Sequence, residues 1–128
     1  MAKLVKKSDA DEIDCLPNVL RMADIVAGFR AKNIKAFDMR GLTVLADCFF
    51  MCSATSDPQL KAIYNGIKDG MKEIGLSPYH TEGEFKGNWL VLDYGSILVN
   101  IFRQEAYEFY DLEGLWGDAP ELDLELEA

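Results

Sequence analysis

The first candidates for a zinc site in the sequence are Cys48, Cys52 and the single histidine, His80. The apolar run from Leu45 to Ser53 is typical of a buried strand. Residues four apart on an extended chain lie about 13 Å apart, which is too far for two thiolates that must each lie about 2.3 Å from one ion. We therefore predict that both cysteines are small apolar side chains in a strand, and that the chain has no metal site.

Nucleophilic and phosphoryl-transfer chemistry are also poorly supported. A nucleophile needs an adjacent base, His80 is the only histidine, and no Gly-x-Ser-x-Gly motif surrounds any serine. The turn from Ser53 to Asp57 leads into a predicted helix N-terminus, which can attract an anion, but it lacks the glycines of a phosphate loop. Asp111 and Glu113 would point apart on a helix. We predict no catalytic residue and no cofactor; a nucleotidyltransferase-like or nucleotide-binding enzyme is the alternative.

Length and charge restrict the function further. The 128 residues allow one domain. Thirteen basic residues against 22 acidic ones give a net charge of −9, and a surface of that sign repels phosphate. We therefore expect no direct DNA binding, and a basic partner.

The cysteines and the apolar pattern indicate a location. Three cysteines are an odd number, no signal peptide precedes them, and no apolar run is long enough to cross a bilayer. We expect a reducing compartment, a cytoplasmic location and no membrane association.

The elements that would position any site follow from periodicity. Helical spacing begins after Pro17, and a second helix begins at Ser56 to Pro58 and stops at Gly75. A short third helix is predicted from about Glu105 to Leu112. Alternating or continuous apolar runs predict five strands, at residues 36–40, 45–53, 78–82, 88–94 and 97–102.

This order predicts an α+β fold with a single mixed five-stranded sheet flanked by helices, in which the second strand is central. Residues 1–17 are expected to be a flexible segment, residues 18–117 the domain, and residues 118–128 an acidic tail. In that tail Leu122, Leu124 and Leu126 alternate with acids. A strand added on binding is conceivable there, but a solvated tail is the preferred interpretation.

Large amphipathic residues and acids are concentrated in the last third of the chain. Packing in the core explains any one of them, but together they are typical of the anchors of a protein interface. The residues are Trp89, Asp93, Tyr94, Glu105, Tyr107, Tyr110, Asp111, Leu112 and Trp116.

An ordered series of motifs closely resembles the ribosomal silencing factor family, RsfS or Iojap-like, over about residues 19–120. The motifs are Asp38-Met39-Arg40-Gly41-Leu42, Ala46-Asp47-Cys48-Phe49, Thr55-Ser56-Asp57, Glu82-Gly83, Trp89, Leu92-Asp93-Tyr94-Gly95, Tyr110-Asp111-Leu112-Glu113 and Leu115-Trp116-Gly117-Asp118-Ala119-Pro120. Such a series is more specific than any single short motif.

The resemblance implies a fold similar to a nucleotidyltransferase domain without its catalytic groups. It also implies binding to the large ribosomal subunit through its protein L-fourteen, which blocks joining of the small subunit and lowers translation when nutrients are scarce. The implied action is steric and not enzymatic, and the family suggests a homodimer when free. A role in large-subunit assembly through the same surface is a further alternative.

The contact surface or its direct support is predicted from these motifs and from the aromatic and acidic residues above. Three positions depart from residues common in the family: Ala54 replaces Gly, Ser96 replaces Asp and Asn100 replaces His. The last two remove an acid and a titratable group from the presumed binding face. The candidate partner-binding residues are Trp89, Asp93, Tyr94, Gly95, Glu105, Tyr110, Asp111, Leu112, Leu115 and Trp116.

Overall fold

The computed structural model describes residues 4–5, 15–84, 87–110 and 119–125. Its three helices are α1 (Leu16–Gly28), α2 (Asp57–Lys72) and α3 (Gln104–Tyr110). Its strands are β1 (Leu4–Val5), β2 (Lys32–Asp38), β3 (Cys48–Ala54), β4 (His80–Glu82), β5 (Trp89–Asp93), β6 (Ile97–Arg103) and β7 (Glu121–Leu122). The predicted α+β class and the order of the eight predicted elements are confirmed.

The strands form one mixed sheet in the order β1-β7-β2-β3-β6-β5-β4. β3 pairs antiparallel with β2 and parallel with β6, and β4, β5 and β6 form an antiparallel meander. All five predicted strands are present, but the predicted count of five is too low. The two additional strands, β1 and β7, are two residues each and pair parallel with each other. β1 lies in a segment without alternation, whereas β7 lies where leucines alternate with acids, in the segment that was predicted to be a solvated tail.

β3 is the centre of the sheet, as predicted. All seven of its residues are buried, because each face of the sheet carries its own apolar cluster. On one face α1 and α2 pack over Phe50, Cys52 and their neighbours. On the other face α3 packs over Phe49 and Met51. A continuous apolar run with no polar break is the sequence signature of such two-sided burial.

The start of α2 fixes the turn that follows β3. Ser56 has an extended backbone and its Oγ accepts the backbone N–H of Gln59 at 3.2 Å, as an N-cap should. The Gln59 side chain does not return to Ser56 as in a capping box. Its Oε1 accepts the N–H of Thr55 at 2.7 Å, and its Nε2 donates to the carbonyls of Phe29 and Arg30. Gln59 therefore connects this turn to the turn after α1.

The two terminal segments contradict the predicted boundaries. Leu122 and Leu124 are buried, and β7 pairs with β2 through Glu121, so the solvated acidic tail is wrong for residues 119–125. Near the other end, Leu4–Val5 forms a strand, and the flexible segment predicted up to residue 17 already contains buried Cys15 and Leu16. Burial of the leucines in alternation with exposed acids is the physical reason for the first correction.

The cysteines differ in part from expectation. Cys52 is a free, fully buried thiol, and burial raises its pKa to about 12. Cys48, however, is joined to Cys15 by a disulfide that links the start of α1 to the start of β3. The prediction of two small apolar cysteines in β3 thus holds for Cys52 only. Within the described part of the chain, no helix has the length and apolarity needed to cross a membrane.

Replacing Ser56 with alanine tests the N-cap of α2. Loss of the Oγ acceptor leaves the N–H of Gln59 without its cap, and we expect the free energy of unfolding in urea to fall by about 1 kcal/mol. Ser77→Ala, in an exposed non-helical segment, is the control and should change it by less than about 0.5 kcal/mol. Equal effects of the two substitutions would contradict the capping role.

Candidate functional site

The face of the sheet opposite α1 and α2 carries the candidate site. In the register of β5 and β6, Trp89 lies opposite Phe102, Val91 opposite Asn100 and Asp93 opposite Leu98. Directly opposed residues point to the same side of a sheet. On the edge strand β4, His80 and Glu82 continue the same rows.

α3 covers only part of this face. Ala106 and Tyr107 pack with Phe37, Phe49, Met51 and Phe102 over β2 and β3. Towards β4 the coverage decreases: Trp89 is 39% exposed, and Val91, Asp93 and Leu98 are partly exposed. We call Trp89, Val91, Asp93 and Leu98, together with His80 and Glu82, the open face. Its middle is apolar and its rim is acidic, which is the usual arrangement of a protein interface.

Trp89 is held in place although its ring reaches solvent. Its Nε1–H donates to Oδ1 of Asn100 at 3.1 Å, and its ring lies 4.7 Å from the ring of Phe102, tilted by 41°. Asn100 is itself buried, and its Nδ2 donates to the carbonyls of Leu98 at 3.2 Å and Phe50 at 3.4 Å. An aromatic side chain fixed before binding loses little conformational entropy when a partner covers it.

The turn between β5 and β6 uses two predicted site residues. Oδ1 of Asp93 accepts the backbone N–H of Gly95 at 2.8 Å, and Gly95 has φ +83°, a conformation that favours glycine. Asp93 therefore orders the hairpin while presenting its charge on the open face. Gly95 is thus part of the turn that ends the open face, and its role in partner binding stays a prediction.

Tyr94 is not on the open face. Its ring is buried in the cluster beneath α1 and α2, because it alternates with Asp93 along the strand. Burial, with Tyr64 nearby, raises the pKa of its hydroxyl to about 12. The prediction that groups Tyr94 with the contact residues is therefore corrected to a supporting position on the opposite face.

The start of α3 is fixed by a polar cluster under the end of β3. Ser53 is fully buried, and its Oγ lies 2.7 Å from Nδ2 of Asn33 and 2.9 Å from Oε1 of Gln104. Glu105, the next residue of α3, is exposed and pairs with Arg103 at 3.3 Å. Arg103 also pairs with Asp57 at the start of α2.

The remaining predicted contact residues lie partly or wholly outside the described residues. Tyr110 is the last residue of α3, and its side chain lies outside the described part of the structure. Asp111, Leu112, Leu115 and Trp116 also lie outside the described residues. Among the residues that are described, no group of three histidines, cysteines or acids is arranged to hold a metal ion.

Val91 and Leu98 were not predicted as members of the face, and neither was the hydrogen bond that Trp89 donates to Asn100. The signal for Val91 was present in the sequence, because alternation along the strand from Trp89 to Asp93 places Val91 on the same face. The hydrogen bond between Trp89 and Asn100 could not be predicted from local patterns, because pairing across the hairpin depends on the register of β5 with β6.

Comparison with known proteins gives concordant matches. The family described as "Ribosomal silencing factor during starvation" matches residues 12–128. A protein of Bacillus subtilis (strain 168) named ribosomal silencing factor RsfS is 41% identical over 96 residues, covering 75% of this chain and 81% of that protein. The chloroplastic protein Iojap of Zea mays is 29% identical over 116 residues, covering 89% of this chain and 50% of that protein.

Solved structures agree with the sequence matches. A crystal structure of a Chromobacterium violaceum protein superposes with a TM-score of 0.72 at 28% identity, covering 84% of this chain and 88% of the other. A Bacillus halodurans protein gives 0.71 at 28% identity, covering 84% and 98%. The class defined by fold and relatives is that of ribosome-associated regulators of translation. Within it, the chain belongs to the ribosomal silencing factor family, RsfS, and is similar to the Iojap proteins.

Replacing Asn100 with leucine tests how Trp89 is held. The Trp89 N–H loses its acceptor, and we expect the free energy of unfolding to fall by about 1–3 kcal/mol. In a Trp116→Phe background, which leaves Trp89 as the only indole, the fluorescence emission should also shift. Asn65→Leu, on the exposed side of α2, is the control. An emission spectrum of Trp89 unchanged by Asn100→Leu would refute the positioning role.

Proposed function

We propose that this chain binds the large ribosomal subunit through protein L-fourteen and blocks joining of the small subunit, which represses translation under nutrient limitation. Membership in the ribosomal silencing factor family supports the general role. The single observation that carries the proposed contact is Trp89, fixed by Asn100 and Phe102 yet 39% exposed on a face that α3 leaves uncovered.

The chemistry of the open face suits a basic protein. Trp89, Val91 and Leu98 offer apolar surface at its middle, and Asp93 and Glu82 lie along its rim. Glu82 also lies 2.9 Å from Nε2 of His80. Tryptophan anchors fixed in place contribute most of the binding energy at many interfaces, whereas rim charges mainly increase the rate of encounter. The net charge of −9 has the sign that attracts a basic ribosomal protein.

The proposed action needs no chemical step. A domain seated on the joining surface of the large subunit excludes the small subunit by occupying its space, so no catalytic residue is required, and the site of action is the cytoplasm. The free protein is proposed to form a homodimer that covers the apolar part of the open face. A role in assembly of the large subunit would use the same contact and is the alternative function of the open face.

Truncation of Trp89 tests the contact. We expect Trp89→Ala to weaken co-sedimentation with purified large subunits by about 30-fold or more, since a central aromatic anchor contributes about 2 kcal/mol or more. Phe29→Ala is the matched control, because Phe29 is 41% exposed but lies against Gly66 on the helix side of the molecule. It should sediment with large subunits as the parent protein does.

The design of this experiment separates folding from binding. Both variants are first compared with the parent by circular dichroism and urea unfolding. A folded Trp89→Ala variant that binds large subunits normally would refute the assignment of the open face. Inclusion of small subunits and joined ribosomes then distinguishes the two roles: silencing requires that bound protein prevent joining, and an assembly role does not.

The rim charge is tested with Asp93→Asn, which keeps an oxygen acceptor for the Gly95 N–H while removing the charge. We expect a several-fold lower affinity for large subunits at low salt, and the difference should diminish as salt screens exposed charges. Asp24→Asn, exposed on α1, makes the same change in net charge on the opposite side of the sheet. Equal losses for both variants would show that only the total charge matters.

A further inference from the structure

A concave surface lies beside the edge strand β4, where it borders the open face at His80. The C-terminal half of α2 and the segment leading into β4 enclose a cleft with a volume of about 630 Å³. We call it the β4 cleft. Its size falls within the range of small-molecule sites, about 300–1,000 Å³. The side chains that matter for its chemistry belong to Lys68, Asp69, Lys72, Ser77, Tyr79 and Thr81.

The β4 cleft has the opposite charge to the rest of the chain. Lys68 and Lys72 are four residues apart on α2 and therefore share one side of the helix. In the part of the chain that the structure describes, neither forms an ion pair. Asp69 is the one acid that lines the cleft. Two ammonium groups against one carboxylate make a locally cationic site in a protein whose net charge is −9.

Lysine at the end of a helix often serves only to complement the helix dipole. That role accounts for Lys72, which is in the last turn of α2. It does not account for Lys68, one turn earlier, whose Nζ lies 5.3 Å from the centre of the Tyr64 ring. A cation held over an aromatic ring has a restricted position, so the ammonium of Lys68, a residue that lines the cleft, is positioned by Tyr64.

Tyr79 adds an aromatic surface beside these charges. Its side chain is 83% exposed, although its backbone N–H is fixed to the carbonyl of Asp93 at 2.8 Å. The ring lies against the turn at Gly95, where an added Cβ would come within 3.0 Å of it. An exposed ring on a fixed backbone offers a face on which a base can stack. The hydroxyl groups of Ser77 and Thr81 lie nearby.

We propose that the β4 cleft binds a phosphate-bearing nucleotide, with the phosphate at Lys68 and Lys72 and the base on Tyr79. Asp69 then accepts hydrogen bonds from ribose hydroxyl or base N–H groups, which explains an acid in a phosphate site. The imidazole of His80 is paired with Glu82 and is not part of the proposed contact. The nucleotide is either free or one residue of an RNA strand, since both offer the same phosphate and base.

The inference does not depend on the proposed function, because the residues proposed to bind the nucleotide are not members of the open face and their binding is tested without ribosomes. The full chain, labelled with nitrogen-15, is titrated with AMP, ribose 5-phosphate, inorganic phosphate and hexa-adenylate while amide shifts are followed. We expect saturable shifts at Lys68, Lys72 and Thr81. Hexa-adenylate binding more tightly than AMP at the same amides identifies an RNA strand as the source, and equal affinity identifies a free nucleotide.

Two variants and a control make the outcome decisive. Lys68→Gln combined with Lys72→Gln should weaken AMP binding about tenfold, whereas Lys61→Gln, two turns earlier on α2, should not. Tyr79→Leu should weaken AMP about fivefold or more and leave ribose 5-phosphate unchanged. Absence of saturable shifts at the cleft, shifts that survive loss of both lysines, or binding of AMP that is insensitive to Tyr79→Leu would overturn the nucleotide assignment.

Discussion

Two-sided burial of β3 is the constraint on which the rest of the structure depends. Every residue of this strand is buried, so apolar layers must lie on both faces of the sheet. On one face α1 and α2 supply a complete layer. On the other face the short α3 reaches only the side near β2 and β3. Among the described residues, this second layer does not extend to β4 and β5, and Trp89 stays partly in contact with solvent there.

The buried polar residues also lie on one face of the sheet only. Ser53 and Asn100 are the buried polar residues among those described, and both are on the face covered by α3. Burying such groups is costly unless they are hydrogen-bonded. Each is bonded, and each bond positions a part of the candidate site: Ser53 holds Gln104 at the start of α3, and Asn100 holds Trp89. Stability and preorganisation thus depend on the same hydrogen bonds.

Local patterns predicted most of the fold because most of its elements are long enough to repeat a period. Three patterns in the sequence predicted their elements: the apolar run of β3, the apolar face and cap of α2, and the alternation in β5 and β6. β1 was not predicted, since two residues carry no period and its pairing with β7 joins distant parts of the chain. β7 lies where Leu122 and Leu124 alternate with acids, and that pattern was interpreted as a solvated tail. The register that brings Asn100 to Trp89 and the contact between Cys15 and Cys48, 33 residues apart, are likewise non-local. Tyr94 is different: its parity relative to Trp89 already separated the two residues, and grouping the large amphipathic residues of the last third by type alone passed over that signal.

Net charge alone describes this protein poorly, because opposite local charges lie at the same sheet edge. The strand β4 contributes Glu82 to the acidic open face, while its neighbouring segment contributes Tyr79 to the cationic β4 cleft. At physiological salt the field of an exposed charge decays over about 8 Å, so the nearest charges dominate at contact distance. A partner at either surface therefore responds mainly to the charges on that surface. The overall charge of −9 governs long-range encounter with a basic protein, whereas Lys68 and Lys72 govern what is attracted at contact distance.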